Sequence, residues 1–296
     1  MAIFSKREVY MEIIVGKTAG FCYGVKRAVD GCFKEIEKNK DSNNIYCLGE
    51  IVHNQNVVKE LENNGMTIIE NIEDSDNLTI LRAHGVPKKV YQYAQSNNIK
   101  LVDLTCPNVL KIHEIANLYS SNGYHILLCG SRKHPENIGT LSYCGKNVDV
   151  IESKEDVFKI IDKLREDKKI LLISQTTFSL EKFLNIKNIL EENLGESKLE
   201  VKNTICMATK IRQEETKKIA SSVDYMIIIG GKNSSNTKKL YDIAKKECEN
   251  STMIQDKNDL DINNISKFNK IGIMAGASTP QKDIEEVVKI IKSSDK

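Results

Sequence analysis

Residues 101–140 read LVDLTCPNVLKIHEIANLYSSNGYHILLCGSRKHPENIGT, and this stretch decides the fold. It starts with a short apolar run, places Cys106 in a turn, continues as a helix-like segment and reaches a second apolar run that ends in polar residues. Short apolar runs that alternate with amphipathic segments indicate parallel strands joined by crossover helices. The stretch therefore predicts an α/β unit with Cys106 after one strand and His134 after the next.

The same arrangement occurs twice more, roughly a hundred residues away on either side. Cys22 lies in GKTAGFCYGVKRAVD and Cys206 in VKNTICMATKIRQEE, each between a short apolar run and a helix-like segment. Repeats of this length have the size of small domains. We therefore predict three similar α/β units over residues 11–105, 106–202 and 203–296, and we interpret residues 1–10 as an extension.

Two further sets of polar residues recur at matched distances after each cysteine. One set follows the runs NIYCLG, YHILLCG and YMIIIGG, and the other follows LTILRA, ILLISQ and IGIMAGA. Their polar residues are His53, His84, His134, Glu136, Thr176, Thr177, Ser234, Ser235, Asn236 and Ser278. Ligand-binding residues gather at the carboxyl ends of parallel strands, so matched offsets predict three units arranged pseudo-threefold around one central cavity. The alternative is three ordinary doubly wound domains whose strand ends never meet.

Composition excludes several classes of protein. The 296 residues carry a net charge of only +2 and no Trp, which argues against a nucleic-acid partner. No apolar run approaches the ~20 residues of a membrane span, and the first residues lack a signal-peptide core. We expect a cytoplasmic protein, where thiols stay reduced and cysteines indicate metal binding or catalysis.

The eight cysteines fall into two groups. Only the three repeated cysteines share the strand–turn–cysteine–helix context, and no CxxC spacing occurs. The other five, which we interpret as structural, are Cys32, Cys47, Cys129, Cys144 and Cys248. Three thiolates brought to one point leave a four-coordinate site one ligand short, which keeps a position open for substrate.

The residues alone leave the metal open. Three thiolates with an open position fit zinc, which would imply hydrolysis, or a cubane iron–sulfur cluster, which carries electrons and acts as a Lewis acid. The hydroxyls, amides and imidazoles at the other strand ends have no acidic counterweight and indicate an anion pocket. Glu136 is the one acid of this set that we assign to chemistry, as a proton donor whose pKa burial would raise. His113 and His125 lie outside the pattern, and we interpret them as structural or surface residues.

Nine motifs in order resemble the LytB/IspH family of 4-hydroxy-3-methylbut-2-enyl diphosphate reductases, which belongs to the non-mevalonate isoprenoid pathway. They are GFCYGV, VHN, AHGV, TCP, HPE, QTT, ICMATKIRQ, KNSSN and AGAS, and the resemblance covers residues 11–291. The extension at residues 1–10 and the CGSRK segment before HPE have no clear family equivalent. Some relatives carry C-terminal RNA-binding repeats; the 296 residues contain no such repeats, and we expect no RNA-linked role.

The resemblance implies a cofactor, a reaction and a set of residues. It implies a 4Fe–4S cluster on Cys22, Cys106 and Cys206, and reduction of (E)-4-hydroxy-3-methylbut-2-enyl diphosphate to isopentenyl and dimethylallyl diphosphate. Ferredoxin or flavodoxin is the electron donor expected from the family. The implied diphosphate pocket consists of His53, His84, His134, Ser234, Ser235, Asn236 and Ser278. The resemblance places Glu136 and Thr176 at the allylic hydroxyl, with Glu136 in the proton path and His134 in support. The residues of SQTTFS alone indicate that Thr176 and Thr177 position a substrate hydroxyl or relay the proton. A zinc-dependent phosphohydrolase and a non-enzymatic redox sensor remain as alternatives.

Overall fold

The computed structural model of the protein describes residues 11–40, 44–167 and 169–294, and the predicted extension at residues 1–10 lies outside them. The strands are β1 (Glu12–Val15), β2 (Ile45–Leu48), β3 (Met66–Ile69), β4 (Leu78–Leu81), β5 (Leu101–Asp103), β6 (His125–Cys129), β7 (Val148–Ile151), β8 (Ile170–Ser174), β9 (Leu199–Val201), β10 (Tyr225–Ile229), β11 (Ser251–Ile254) and β12 (Lys270–Ala275). The α-helices are α1 (Tyr23–Lys38), α2 (Gln55–Asn63), α3 (Lys88–Ser96), α4 (Pro107–Ser121), α5 (Pro135–Leu141), α6 (Lys154–Glu166), α7 (Leu180–Leu194), α8 (Met207–Ala220), α9 (Ser235–Glu247), α10 (Ile262–Ile265) and α11 (Gln281–Ser294). None of the described helices is long and apolar enough to cross a membrane.

The strands form three four-stranded sheets with one shared topology. Their orders are β3-β2-β4-β5, β7-β6-β8-β9 and β11-β10-β12-β1, and every pairing is parallel. In each sheet the edge strand on one side is the strand that immediately precedes a repeated cysteine. The prediction of three similar parallel α/β units is therefore confirmed.

Strand β1 departs from the predicted unit boundaries. The sequence interpretation assigns it to the first unit, but β1 pairs with β12 of the third sheet, where Glu12 lies opposite Lys270. The reason lies in the repeat itself, because each sheet takes the strand before a cysteine as its edge. In the third sheet, this edge is β1, the strand before Cys22. The other boundaries stay a prediction.

The described chain divides into two compact units. One contains the described parts of Met1–Cys22 and Ile211–Lys296 and holds the third sheet. The other, Tyr23–Lys210, holds the first and second sheets. Two of the three repeats therefore share one compact unit.

Buried aliphatic side chains hold helices against the sheets. In the second sheet, Leu127 and Leu172 pack with Phe183 and Leu190 of α7, and in the third, Ile273 packs with Val287 of α11. Each of these side chains is at most 1% exposed, and burying one stabilises the fold by about 1.5–3 kcal/mol. The rigid sheets in turn fix the loops at their strand ends.

The central strands β6 and β10 end in the same kind of turn. Gly130 has a φ of 154° and Gly230 a φ of 153°, a backbone region that favours glycine. Their N–H groups donate to the carbonyls of Ile151 and Ile254 on the neighbouring strands, at 3.0 and 2.9 Å. Each turn then leads into a helix whose first residues belong to the predicted site.

Candidate active site

Three histidines meet at strand ends within the unit Tyr23–Lys210. The rings of His53 and His84, which follow β2 and β4, stack with centroids 4.4 Å apart. The ring of His134, which follows β6, stands edge-on to both at 5.7 and 5.5 Å. One ring nitrogen of each lies within 4.8 Å of the others. The structure thus brings these three predicted substrate-binding residues together.

The electrostatics of this cluster favour an anion over a metal cation. Burial lowers the pKa of His134 to about 4, and the charges of His53 and Arg82 add to the effect. Burial also lowers the pKa of His84 well below its ordinary value, again with a contribution from Arg82. Three such imidazoles can ligate zinc, but the neighbouring guanidinium repels a cation and attracts a phosphate.

An acid lies beside the cluster, so the expectation of no acidic counterweight is wrong at His53. The Oε2 atom of Glu50 is 3.2 Å from Nδ1 of His53, and Oε1 accepts a hydrogen bond from Gln55 at 2.6 Å. The hydrogen bond with His53 is the main cause that lowers the pKa of Glu50. An ionised Glu50 that accepts the Nδ1 proton fixes the tautomer and the orientation of the His53 ring.

Glu136 and Thr176 form a buried pair at the end of the second sheet. Oε1 of Glu136 accepts the Thr176 backbone N–H at 2.6 Å, and Oε2 accepts its hydroxyl at 2.7 Å. Glu136 is only 2% exposed, and burial raises its pKa to about 7 although both hydrogen bonds oppose the shift. A carboxyl group that titrates near neutral pH can hold and release a proton at that pH.

The HPE motif starts helix α5 and joins this pair to the histidine cluster. His134 is the N-cap residue, and its Nδ1 accepts the backbone N–H of Glu136 at 3.2 Å. Pro135 follows in the first turn, where a missing N–H costs nothing. Because Nδ1 accepts, the neutral His134 ring carries its proton on Nε2, as a donor for a ligand.

The Thr177 hydroxyl belongs to a small amide network. It accepts a hydrogen bond from Nε2 of Gln175 at 2.8 Å, and Oε1 of Gln175 accepts one from Asn137 at 3.2 Å. The network holds the QTT loop against the first turn of α5. Thr177 therefore stabilises the loop that carries Thr176, in addition to its predicted contact with substrate.

Two repeated cysteines are fixed to this unit in the same way. The N–H of Cys106 donates to the carbonyl of Ala83, and that of Cys206 to the carbonyl of Thr176, each at 3.0 Å. The acceptor in the first case directly precedes His84, and in the second it is itself a predicted site residue. Both cysteines therefore sit next to the strand-end clusters, as the repeat predicts.

The unit with the third sheet repeats this pattern. The N–H of Cys22 donates to the carbonyl of Ala277, directly before Ser278, at 3.3 Å. Ser234 is the N-cap of α9 and accepts the N–H of Thr237 at 3.3 Å. Next to Ser235, the side chain of Asn236 is 3% exposed, and neither polar atom has a hydrogen-bond partner in the described part of the chain. A buried unpaired amide is costly, so its presence here indicates a ligand-binding position.

The sulfur atom of Cys206 differs from those of several cysteines that we interpret as structural. Sγ of Cys47 donates to Gly49 O and Sγ of Cys144 to Thr140 O, at 3.2 and 3.5 Å, and burial raises the pKa of each thiol to about 12. Burial likewise raises the pKa of Cys32 and Cys129. Sγ of Cys206 instead accepts a hydrogen bond, as a metal-binding thiolate does.

Four residues near the site escape the sequence interpretation. Their signals in the sequence are weak, since each matters through one contact made in space. They are Glu50 beside His53, Arg82 beside the histidines, Asn108 beside Cys206 and Gly24 beside Cys106. Only Arg82 had a usable signal, as a cation directly before the AHG motif. His113 and His125 are 3% and 2% exposed and thus structural rather than surface residues.

Fold and site together define a class: repeated parallel α/β proteins with cysteines, histidines and hydroxyl side chains at their strand ends. The model of a family described as LytB protein matches residues 13–292. The chain belongs to the LytB family.

Similar proteins agree with this assignment. The 4-hydroxy-3-methylbut-2-enyl diphosphate reductase of Clostridioides difficile (strain 630) is 41% identical over 288 residues, which cover 96% of this chain and 100% of the relative. The structure of the E-1-hydroxy-2-methyl-but-2-enyl-4-diphosphate reductase from Plasmodium falciparum is 29% identical with a TM-score of 0.88, over 95% of this chain and 88% of that one. A second solved structure, (E)-4-hydroxy-3-methyl-but-2-enyl diphosphate reductase, described as the terminal enzyme of the non-mevalonate pathway, is 36% identical with a TM-score of 0.69, over 96% and 99%.

Proposed function

We propose that this chain is a 4-hydroxy-3-methylbut-2-enyl diphosphate reductase, as its relatives are named. The reaction takes two electrons and two protons, breaks the allylic C–O bond, and yields water with isopentenyl or dimethylallyl diphosphate. The observation that carries the proposal is the buried Glu136–Thr176 pair, because it places a carboxyl with a pKa of about 7 on the helix that His134 caps. A simple anion-binding protein has no need of such a group.

The cofactor that we propose is a 4Fe–4S cluster held by Cys22, Cys106 and Cys206. Its support is the shared backbone hydrogen bond of the three cysteines and the acceptor role of the Cys206 sulfur, which suits a thiolate ligand. When bound, the cluster supplies electrons one at a time and a Lewis-acidic iron at its open position.

Diphosphate binding falls to the histidines and to the Ser and Asn side chains. Nε2 of His134 donates to a phosphate oxygen, and a bound phosphate raises the pKa of His84 and recruits a proton to it. The proposed partners from the other unit are Ser234, Ser235, Asn236 and Ser278. Together they hold the diphosphate so that the allylic carbon is fixed for reaction.

Glu136 delivers the proton that lets the hydroxyl leave as water. Its carboxyl is half protonated near pH 7, and Thr176 holds both oxygens in one orientation. The Thr176 hydroxyl can turn toward the substrate oxygen and relay the proton. Exclusion of water around this pair limits loss of the proton to solvent.

The proposal extends to an electron donor and a location. Ferredoxin or flavodoxin is the proposed donor, because each passes single electrons at low potential. We place the protein in the cytoplasm, because all eight cysteines are free and a reducing compartment keeps cluster ligands as thiols.

The experiment that tests the function is anaerobic oxidation of a reduced viologen dye by the iron- and sulfide-reconstituted protein. We expect oxidation that requires 4-hydroxy-3-methylbut-2-enyl diphosphate. The variant Cys106→Ser should lose iron and activity, whereas the matched control Cys144→Ser should keep both, since its thiol only donates to a helix carbonyl. Bound zinc without sulfide would favour a phosphohydrolase, and a cluster without substrate-dependent oxidation would favour a redox sensor.

A further inference from the structure

A side-chain amide contacts one of the proposed cluster ligands. Nδ2 of Asn108 donates a hydrogen bond to Sγ of Cys206 over 3.1 Å, although the two residues are 98 positions apart in the chain. Asn108 lies in the first turn of α4, two residues after Cys106. One cysteine's helix therefore provides a hydrogen bond to the sulfur of the next cysteine.

The repeat shows that this contact belongs to the architecture. Gly24 holds the equivalent position two residues after Cys22, and a Cβ at Gly24 would lie 2.5 Å from Sγ of Cys106. In both cases, the second residue of a cysteine's helix faces the sulfur of the following cysteine. The third copy of the position is Ala208. Of the three, only Asn108 carries a hydrogen-bond donor.

A donor at this place changes the energy of the cluster's charge states. Reduction adds negative charge, part of which resides on the cysteine sulfurs, and a hydrogen bond to sulfur stabilises the more negative state. The donor therefore raises the reduction potential. Glycine and alanine at the equivalent positions have no side-chain donor.

We infer that Asn108 is a positioning residue that raises the reduction potential of the cluster through its hydrogen bond to Cys206, an inference that rests on the proposed function. Asn108 is exposed, so solvent screens the bond and the effect is a tuning of the potential rather than a requirement for the cluster.

The test is the midpoint potential of the reconstituted protein, measured by anaerobic titration followed by electron paramagnetic resonance. The variants are Asn108→Leu, which removes the donor, and Asn108→Asp, which puts a carboxylate in its place. The matched control is Asn117→Leu on the same helix, where the exposed amide contacts Lys88 instead of a cysteine. Iron, sulfide and thermal stability are measured for all of them.

We expect the potential to fall from wild type to Asn108→Leu and further to Asn108→Asp. At the wild-type midpoint, the ratio of oxidised to reduced cluster should rise about threefold to tenfold in the leucine variant, where tenfold corresponds to about 59 mV for one electron. Asn117→Leu should leave the midpoint unchanged. A structural role alone would change the thermal stability of the variants and not their midpoint potential.

Several outcomes would overturn the inference. Equal midpoints in wild type and Asn108→Leu would do so, even if the aspartate variant shifts, because charge alone would then explain the shift. If the leucine variant assembles no cluster, the wild-type protein is labelled with ¹⁵N-asparagine and its reduced cluster is examined by electron paramagnetic resonance. Absence of a nitrogen coupling would then exclude the hydrogen bond from Asn108 to Cys206. A wild-type protein that forms no cluster overturns this inference and the proposed function together.

Discussion

Gly24 shows how closely single residues are fitted around the cysteines. A Cβ there would lie 2.5 Å from Sγ of Cys106, which is too close unless the sulfur moves, and 3.3 Å from its Cβ, which is a tight contact. We expect Gly24→Ala to lose most of the bound iron after reconstitution, because Cys106 must move. Iron and sulfide analysis of the purified variant, beside wild type, measures the effect.

The cluster-free variant serves as the control. Alanine is a better helix former than glycine by roughly 0.5–1 kcal/mol, and Gly24 lies in the first turn of α1. The thermal midpoint of cluster-free Gly24→Ala should therefore be no lower than that of wild type. Full iron content in the variant would show that Cys106 does not need its present position.

Glu136 sets the pH dependence of turnover. Its raised pKa of about 7 means that the proton is present at lower pH and lost above that value. We expect wild-type turnover to fall about tenfold per pH unit above pH ~7, since each unit removes nine-tenths of the acid. Glu136→Gln should keep the cluster and bind substrate, lose about 100-fold or more in turnover, and lack this pH limb.

The same group has a stability signature that separates burial from catalysis. In the folded protein, burial raises the pKa of Glu136 from its ordinary value of 4.5 to about 7. Below pH ~4.5 the carboxyl is protonated in both the folded and the unfolded state and does not lower the free energy of unfolding. As the pH rises from there through about 7, the free energy of unfolding falls, because the unfolded chain loses the proton more readily than the folded one. The loss is on the order of 3 kcal/mol. The free energy of unfolding, measured in urea, should decrease less between pH 5 and pH 8 for Glu136→Gln than for wild type. Equal decreases would mean that the carboxyl titrates at its ordinary pKa.

The sequence predicts site residues that recur in the same context in each repeat. It does not reveal residues whose importance depends on a single contact in the folded structure. His53, His84 and His134 could be predicted because each follows a strand at a matched offset. Asn108 and Gly24 could not, because the sulfur that each one faces belongs to a different repeat. The raised pKa of Glu136 was predictable in direction only, since its partner Thr176 lies 40 residues away.

At the scale of elements, helix caps provide a matched pair of serines. Ser234 caps α9 and Ser179 caps α7, and each accepts a backbone N–H at 3.3 Å. We expect both Ser→Ala variants to lose about 1 kcal/mol of unfolding free energy. Only Ser234→Ala should also weaken binding of inorganic pyrophosphate, because only Ser234 is proposed to contact the diphosphate. Calorimetric titration measures the binding.

The affinity of Ser179→Ala for pyrophosphate determines how the affinity of Ser234→Ala is interpreted. A similar loss of affinity in both variants would trace the effect to general destabilisation and remove Ser234 from the pocket. The Ser234 cap was predictable, since a Ser-Ser-Asn segment before an amphipathic run is a local signal that needs no partner elsewhere. The strand ends were predictable for the same reason.

At the scale of the whole molecule, the third sheet depends on a pairing that local sequence does not reveal. The segment of β1 reads EIIV and would fit an edge strand of any of the three sheets. Its partner β12 lies at the opposite end of the chain, and the pairing is seen only when the repeat is shifted so that each sheet ends with the strand before a cysteine. Periodicity shows that a strand exists, but it does not identify the neighbouring strand.

The pairing of β1 with β12 can be tested by removing β1 from the chain. Removing residues 1–15 deletes β1, whose residues pair with Lys270–Ile273 and help to bury the core around Ile271. We expect that chain, although it keeps Cys22, to lose the cooperative unfolding of the third sheet and most of its iron. A chain that begins at Met11 is the control and should match the full-length protein in both, because β1 begins at Glu12. Thermal unfolding and iron analysis report the two properties. If the chain without β1 still unfolds cooperatively and binds iron, the edge strand is dispensable, and the position of Cys22 then depends on its hydrogen bond to Ala277 and the helix that follows.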